Sequence, residues 1–70
     1  MERFGRAKTT RIRKRIRKAL VLKGESLASL AKKAGLSRQS LTVKFHDPDT
    51  RQRVEVFVKA LEIRLEELLP

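Results

Sequence analysis

Arg38, Gln39, Thr42 and Val43 are the side chains in this sequence whose types and spacing best suit recognition chemistry. A guanidinium donates through a rigid fork, a carboxamide donates and accepts side by side, and valine or threonine methyls make apolar contacts. Those groups match what base pairs expose in a DNA major groove. Arginine can be bidentate to guanine, glutamine bidentate to adenine, and a methyl can rest on the thymine methyl. The four residues are therefore the candidate base-reading set, provided that one helix presents them together.

The flanking sequence supplies that helix. Leu41 and Phe45, spaced i, i+4, form the inward face, which turns Arg38, Gln39, Thr42 and Val43 outward. Ser37 is placed to cap the helix by accepting an orphan backbone N–H. Just upstream, Ser26 caps a shorter run in which Leu27, Leu30, Ala31 and Ala34 keep helical spacing until Gly35. That run is too short to be stable alone and must pack on something. Ala31 is expected to be small where the two helices approach, Gly35 to take a turn that a Cβ would obstruct, and Leu36 to plug the angle between them. Two short helices around a tight glycine turn are the sequence form of a helix-turn-helix, here about residues 26–46.

Charge points the same way. The chain has 70 residues and a net charge of +10. Residues 1–24 hold ten Lys/Arg against Glu2 alone, whereas residues 25–70 hold eight against seven acids. A concentrated positive field of this kind attracts polyanions, most often nucleic acid. Residues 1–8 read as a basic flexible arm, and residues 9–70 as the folded domain. Thr9 or Thr10 is the expected cap of a first helix from about Arg11 to Lys23, with Ile12, Ile16, Ala19 and Leu20 as its apolar stripe and Gly24 as its stop. Arg13 and Arg17 line up beside that stripe. The expectation is that residues 3–18 follow the phosphate backbone, with Arg3 or Arg6 entering a minor groove.

Downstream, His46-Asp47-Pro48-Asp49-Thr50 is turn chemistry, with Asp49 or Thr50 able to start another helix. Residues 51–61 carry two patterns. Val54, Val56 and Val58 alternate as in a strand, while Val54, Phe57, Val58 and Leu61 keep the spacing of a helix. The helical pattern runs on further and is the preferred reading. The tail sets Leu65, Leu68 and Leu69 on one face with Glu66 and Glu67 opposite. The fold class expected is all-α, a small domain of about five short helices.

Several chemistries are excluded or disfavoured. The chain has no Cys, so neither disulfides nor thiolate metal sites are available, and a reducing, cytoplasmic setting is expected. The longest apolar run, Ala19–Leu22, is far below the roughly 18 residues a membrane span needs. His46 is the only histidine and has no second ligand near it, so no metal site is expected. Asp47 and Asp49 fit helix capping better than paired acid/base work. There is no Ser-His-Asp order, no P-loop and no glycine-rich nucleotide fingerprint. The chain reads as a non-enzyme without cofactor or small-molecule substrate.

The stretch ESLASLAKKAGLSRQSL resembles the helix-turn-helix of the Cro/CI (XRE-like) repressor superfamily, and ALEIRLEELL resembles the end of that domain. The likeness covers roughly Ile16 to Leu69. It is nearest to Ner-like phage regulators and to the short antitoxins of addiction modules. The resemblance implies a five-helix DNA-binding domain, often dimeric, acting on transcription. It implies that Arg38, Gln39, Thr42 and Val43 read bases and that Ser37 caps the recognition helix and touches a phosphate. Ser26, Lys44, Arg13, Arg17, Arg3 and Arg6 complete the expected phosphate-contacting set. Three positions depart from the pattern: Leu27 stands where many members have a phosphate-binding Gln, Glu62 where a Gly is usual, and Lys44 where a small apolar residue is commoner.

The expected function is thus a sequence-specific regulator that binds double-stranded DNA, a repressor of phage or mobile-element type associated with the nucleoid. A helix-turn-helix alone reads few base pairs, so a two-fold homodimer is expected, with Leu65, Leu68 and Leu69 at its interface. An alternative is an antitoxin that neutralises a toxin protein and represses its own operon. A third reading is an RNA binder using the Arg-rich first helix alone. A membrane-active helix is weaker, because the stripe of Ile12, Ile16 and Leu20 is narrow and has no aromatic anchor.

Overall fold

Glycines in the left-handed conformation and hydroxyl caps punctuate this chain. The computed structural model describes residues 3–69. They form α1 (Arg6–Lys23), α2 (Leu27–Ala34), α3 (Arg38–His46), α4 (Arg51–Leu61) and α5 (Leu65–Leu68), with no strand among them. Ser26, Ser37 and Thr50 cap α2, α3 and α4, each side chain accepting from the backbone N–H three residues on. Of the two candidates for the start of α4, Thr50 is the cap. Gly24 and Gly35 close α1 and α2 at φ of 65° and 70°. A Cβ built at Gly35 would meet nothing within 4 Å. Glycine is favoured there by the left-handed backbone, not by obstruction of a side chain.

The first helix departs from expectation. It begins at Arg6 with Gly5 as its cap, not near Arg11. Thr9 is buried inside it, with its hydroxyl 3.5 Å from the carbonyl of Phe4. Residues 3–5 lie against the turn between α3 and α4. The Phe4 N–H donates to the Asp49 carbonyl at 2.7 Å, and Arg3 reaches the Asp49 carboxylate at 3.6 Å. The Phe4 ring packs on the core, and the Lys8 ammonium sits 4.5 Å from its centroid. The expected flexible arm over residues 1–8 is therefore replaced by anchored chain and helix from residue 3 onward. Met1 and Glu2 lie outside the described residues. The reason is long-range: an aromatic side chain and one backbone hydrogen bond fix the start of a segment that has no side-chain cap of its own.

One core joins all five helices. Ile12, Ile16 and Leu20 of α1 meet Leu30 and Ala31 of α2, Leu41 and Phe45 of α3, Val54, Phe57 and Leu61 of α4, and Leu68 of α5. Residues 51–61 are helical: Val54, Phe57 and Leu61 are buried, while Val56 and Val58 are only partly so. The alternation of valines follows from the rim of that buried stripe and carries no strand. Phe45 and Phe57 meet edge to face at 6.4 Å, joining α3 to α4. Each such side chain contributes about 1.5–3 kcal/mol on burial. Pro48 is also fully buried, and Arg53 donates to the Asp47 carbonyl at 2.8 Å, which secures the turn after α3.

The tail also needs correction. Leu68 is 1% exposed and belongs to the chain's own core, so it has no surface for a partner; Leu65 and Leu69 remain half-buried. Among the described residues no helix is long and apolar enough to cross a membrane.

Candidate nucleic-acid interface

The candidate site is built on α3, which two inward side chains orient. Leu41 is fully buried and Phe45 nearly so, leaving Arg38 and Gln39 exposed and Val43 53% exposed. Thr42 is half-buried, and its hydroxyl donates to the Arg38 carbonyl at 2.8 Å. That bond engages the hydroxyl proton within the helix and leaves the methyl as a contact group. The outward side of α3 thus offers one guanidinium, one carboxamide and a small apolar patch. The other large exposed apolar side chains among the described residues, Val21 and Leu22, both lie on α1.

Cations of α1 flank this helix. Arg13 donates to the His46 carbonyl at 3.1 Å, a cation on the C-terminal end of α3, which the helix dipole favours. The Arg17 guanidinium lies 5.9 Å from the centroid of the Phe45 ring. Arg13, Lys14, Arg17 and His46 line one cleft between α1 and the last turn of α3. Arg6 and Thr10 precede Arg13 and Arg17 at spacings that keep them on the same side of α1. Lys14 and His46 were not in the expected phosphate set. A helical wheel centred on the stripe of α1 places Lys14 near that side, but nothing local links it to His46.

The remaining phosphate candidates are distributed. The Ser37 hydroxyl accepts from the Ser40 N–H at 3.1 Å, which leaves its own proton for another acceptor. Ser26 sits in a reciprocal cap with Ser29, accepting at 3.1 Å while its own N–H donates to the Ser29 hydroxyl at 2.9 Å. Lys44 leaves α3 on a different flank from Val43: its ammonium donates to the Ser40 hydroxyl and its chain lines a cleft with Arg3, Asp49 and Arg53. Arg3 faces that cleft too, with Asp49 beside it. Arg13 and Arg17 therefore group with one end of α3, Arg6 shares only their side of α1, and Lys44 and Arg3 group with the turn into α4.

The base of α2 carries a polar network that was not anticipated. Glu25 pairs with Lys33, and the Ser29 hydroxyl donates to Glu25 at 2.6 Å. The Lys33 and Ser29 hydrogen bonds hold the Glu25 carboxyl below its ordinary range, and Glu25 holds the Lys33 ammonium above its own. The network secures the segment that aims α2, and through Gly35 and Leu36 also α3. Among the described residues no group of His, Cys, Asp or Glu is arranged to hold a metal ion. No protein-family model, curated protein or solved structure matches this chain.

Proposed function

We propose that this chain is a sequence-specific double-stranded DNA-binding regulator of transcription, a helix-turn-helix protein of the Cro/CI repressor type that binds as a homodimer. On this reading α2, the Gly35 turn and α3 form the helix-turn-helix, and α3 enters the major groove. Arg38, Gln39, Thr42 and Val43 meet base edges, while Ser37, Arg13 and Arg17 hold the flanking backbone. It is a binding protein and not an enzyme, and repression follows from occupying a promoter.

The observation that carries this reading is the division of α3 into a buried side, Leu41 and Phe45, and an exposed side that carries Arg38, Gln39 and Val43. That exposed side combines a guanidinium, a carboxamide and an apolar Val43 methyl surface, the set of groups that polar base edges and a thymine methyl would engage. The cleft of Arg13, Lys14, Arg17 and His46 adds positive charge at the end of the same helix. The Arg-rich α1 is not a separate element, because Ile12 and Ile16 are fully buried in the common core. That favours a role for the whole domain over RNA binding by α1 alone.

Selection of binding sites from random duplexes, at two salt concentrations, tests the proposal. The expected result is a near-palindromic consensus whose enrichment survives the higher salt. Binding without enrichment of any sequence would overturn it, as would equal or better binding of single-stranded RNA.

A further inference from the structure

The cations of α1 fall on two flanks. Arg13 and Arg17 lie beside α3, while Arg15 and Lys18 line a different groove, between α1 and α5. Ala19, Leu22 and Ile63 form the open apolar part of that groove over the buried Leu68, and Glu67 stands on its α5 side. Leu22 is 76% exposed, the most exposed large apolar side chain among the described residues. Among the described residues no ion pair joins Arg15 or Lys18 to Glu67, although the three flank one groove. The groove thus has a basic wall, an acidic wall and an apolar strip between them, and no ion pair crosses it within the chain: Glu66 pairs with Arg64 at 3.9 Å, and Glu67 accepts from the Arg64 N–H at 2.7 Å.

We propose, resting on the dimeric part of the reading above, that this groove receives a second copy of the same chain about a two-fold axis. The basic wall of each copy, Arg15 and Lys18, meets the acidic wall of the other, Glu67 with its chain neighbour Glu66, around the paired Leu22 side chains. Charge selects the occupant and the register. A chain of net charge +10 repels a second copy over most of its surface. Residues 62–67 hold three acids against Arg64 alone and are the place where the basic flank of another copy is attracted. A two-fold axis then makes both contacts at once, since each copy carries both walls.

The geometry keeps the candidate DNA face free. The groove lies on the α5 flank of α1, and the Arg13–His46 cleft on the α3 flank. The described chain spans 28 × 22 × 16 Å. This interface differs from the one expected from the sequence: Leu22 and Ile63 replace Leu68, and charge replaces a leucine face as the source of specificity.

Charge reversal in trans tests it without DNA. By sedimentation equilibrium the full-length protein is expected to dimerise. Arg15→Glu/Lys18→Glu in one variant, and Glu66→Lys/Glu67→Lys in another, should each weaken self-association about tenfold or more, because like charges then face each other. An equimolar mixture should restore a heterodimer, since each reversed wall meets its complement and the two native walls still match. Damage to folding cannot be repaired by mixing. Leu22→Asp, at an exposed position, should also dissociate the dimer, and it serves as the readout if the α5 variant loses its helix. A wild-type monomer at all concentrations would overturn the proposal, and so would dimers unaffected by Leu22→Asp or by the reversals. A failed site selection alongside successful rescue would sink the DNA reading alone.

Discussion

Arg13 of α1 donates to the backbone carbonyl of His46, the last residue of α3, at 3.1 Å. The contact spans 33 residues of sequence and ties the long basic helix to the helix that carries the candidate base-reading side chains. It gives Arg13 two separable roles, in stability and in affinity. Arg13→Ala should cost about 1 kcal/mol of stability, the worth of one exposed hydrogen bond to a carbonyl. If the guanidinium also reaches a phosphate, the same variant should reduce the slope of log affinity against log salt by about 0.9. Thermal melts and salt titrations measure the two effects. A lower melting temperature with an unchanged slope would limit Arg13 to a structural role.

Arg38 and Arg17 should separate base reading from backbone contact. Arg38 sits in the exposed first turn of α3, whereas Arg17 stands on α1 over Phe45. Arg38→Ala is expected to cost about 1–3 kcal/mol of binding to the selected site and to relax preference at one base pair per half-site. Arg17→Ala should weaken binding to selected and random duplexes alike. Competition assays with single-base variants of the site distinguish them. Equal losses across all sequences for Arg38→Ala would remove it from the base-reading set.

Features that depend on a few neighbouring residues could be read from the sequence. Ser26, Ser37 and Thr50 cap helices through their own side chains, Gly24 and Gly35 close them, and Leu41 with Phe45 turns α3 by simple i, i+4 spacing. Features that depend on distant partners could not. The start of α1 is fixed by Phe4 on Asp49, more than forty residues away in sequence, so the hydroxyls of Thr9 and Thr10 were misleading local signals. The site shows the same division. The exposed set on α3 follows from helical phase, but the separation of α1 cations into an α3 flank and an α5 flank depends on where α3 and α5 pack. Leu68 lies in the chain's own core for a reason the stripe does not carry: a leucine stripe looks alike whether its own chain or a partner covers it.

Glu62 offers a direct gain in stability. It closes α4 in the left-handed conformation, with φ 56°, and is the non-glycine residue of positive φ among the described residues. A side chain there is strained by about 1–2 kcal/mol, part of which glycine returns through its freer unfolded chain. A carboxylate at a helix C-terminus also opposes the helix dipole. Glu62→Gly is therefore expected to stabilise the fold by about 0.5–1 kcal/mol, raising the melting temperature by roughly 2–8 °C for a domain of this size. Glu62→Ala should gain less, because it removes the charge and keeps the strain. A lower melting temperature for the glycine variant would show that Glu62 contributes a contact that outweighs both penalties.

The Glu25–Lys33 pair predicts how stability depends on pH. The Lys33 and Ser29 hydrogen bonds lower the Glu25 carboxyl from its ordinary value, so its contribution is present above that value and lost as pH falls through the folded one. Lys33 is raised by Glu25, so its contribution is present below the ordinary lysine value and lost as pH rises through the folded one. The pair therefore supports the fold across the neutral range and fails at both extremes. Both partners reach solvent, which keeps the effect small. Glu25→Gln retains an acceptor for Ser29 but has no charge for Lys33, so it should melt below wild type at neutral pH. That gap should close on the acid side, below the ordinary carboxylate range, where Glu25 itself becomes neutral. Because the network anchors the start of α2, the neutral-pH loss should be accompanied by faster amide exchange in residues 27–34. A gap that persists unchanged into strong acid would mean that Glu25 stabilises α2 by packing or as a neutral acceptor, and not through its charge.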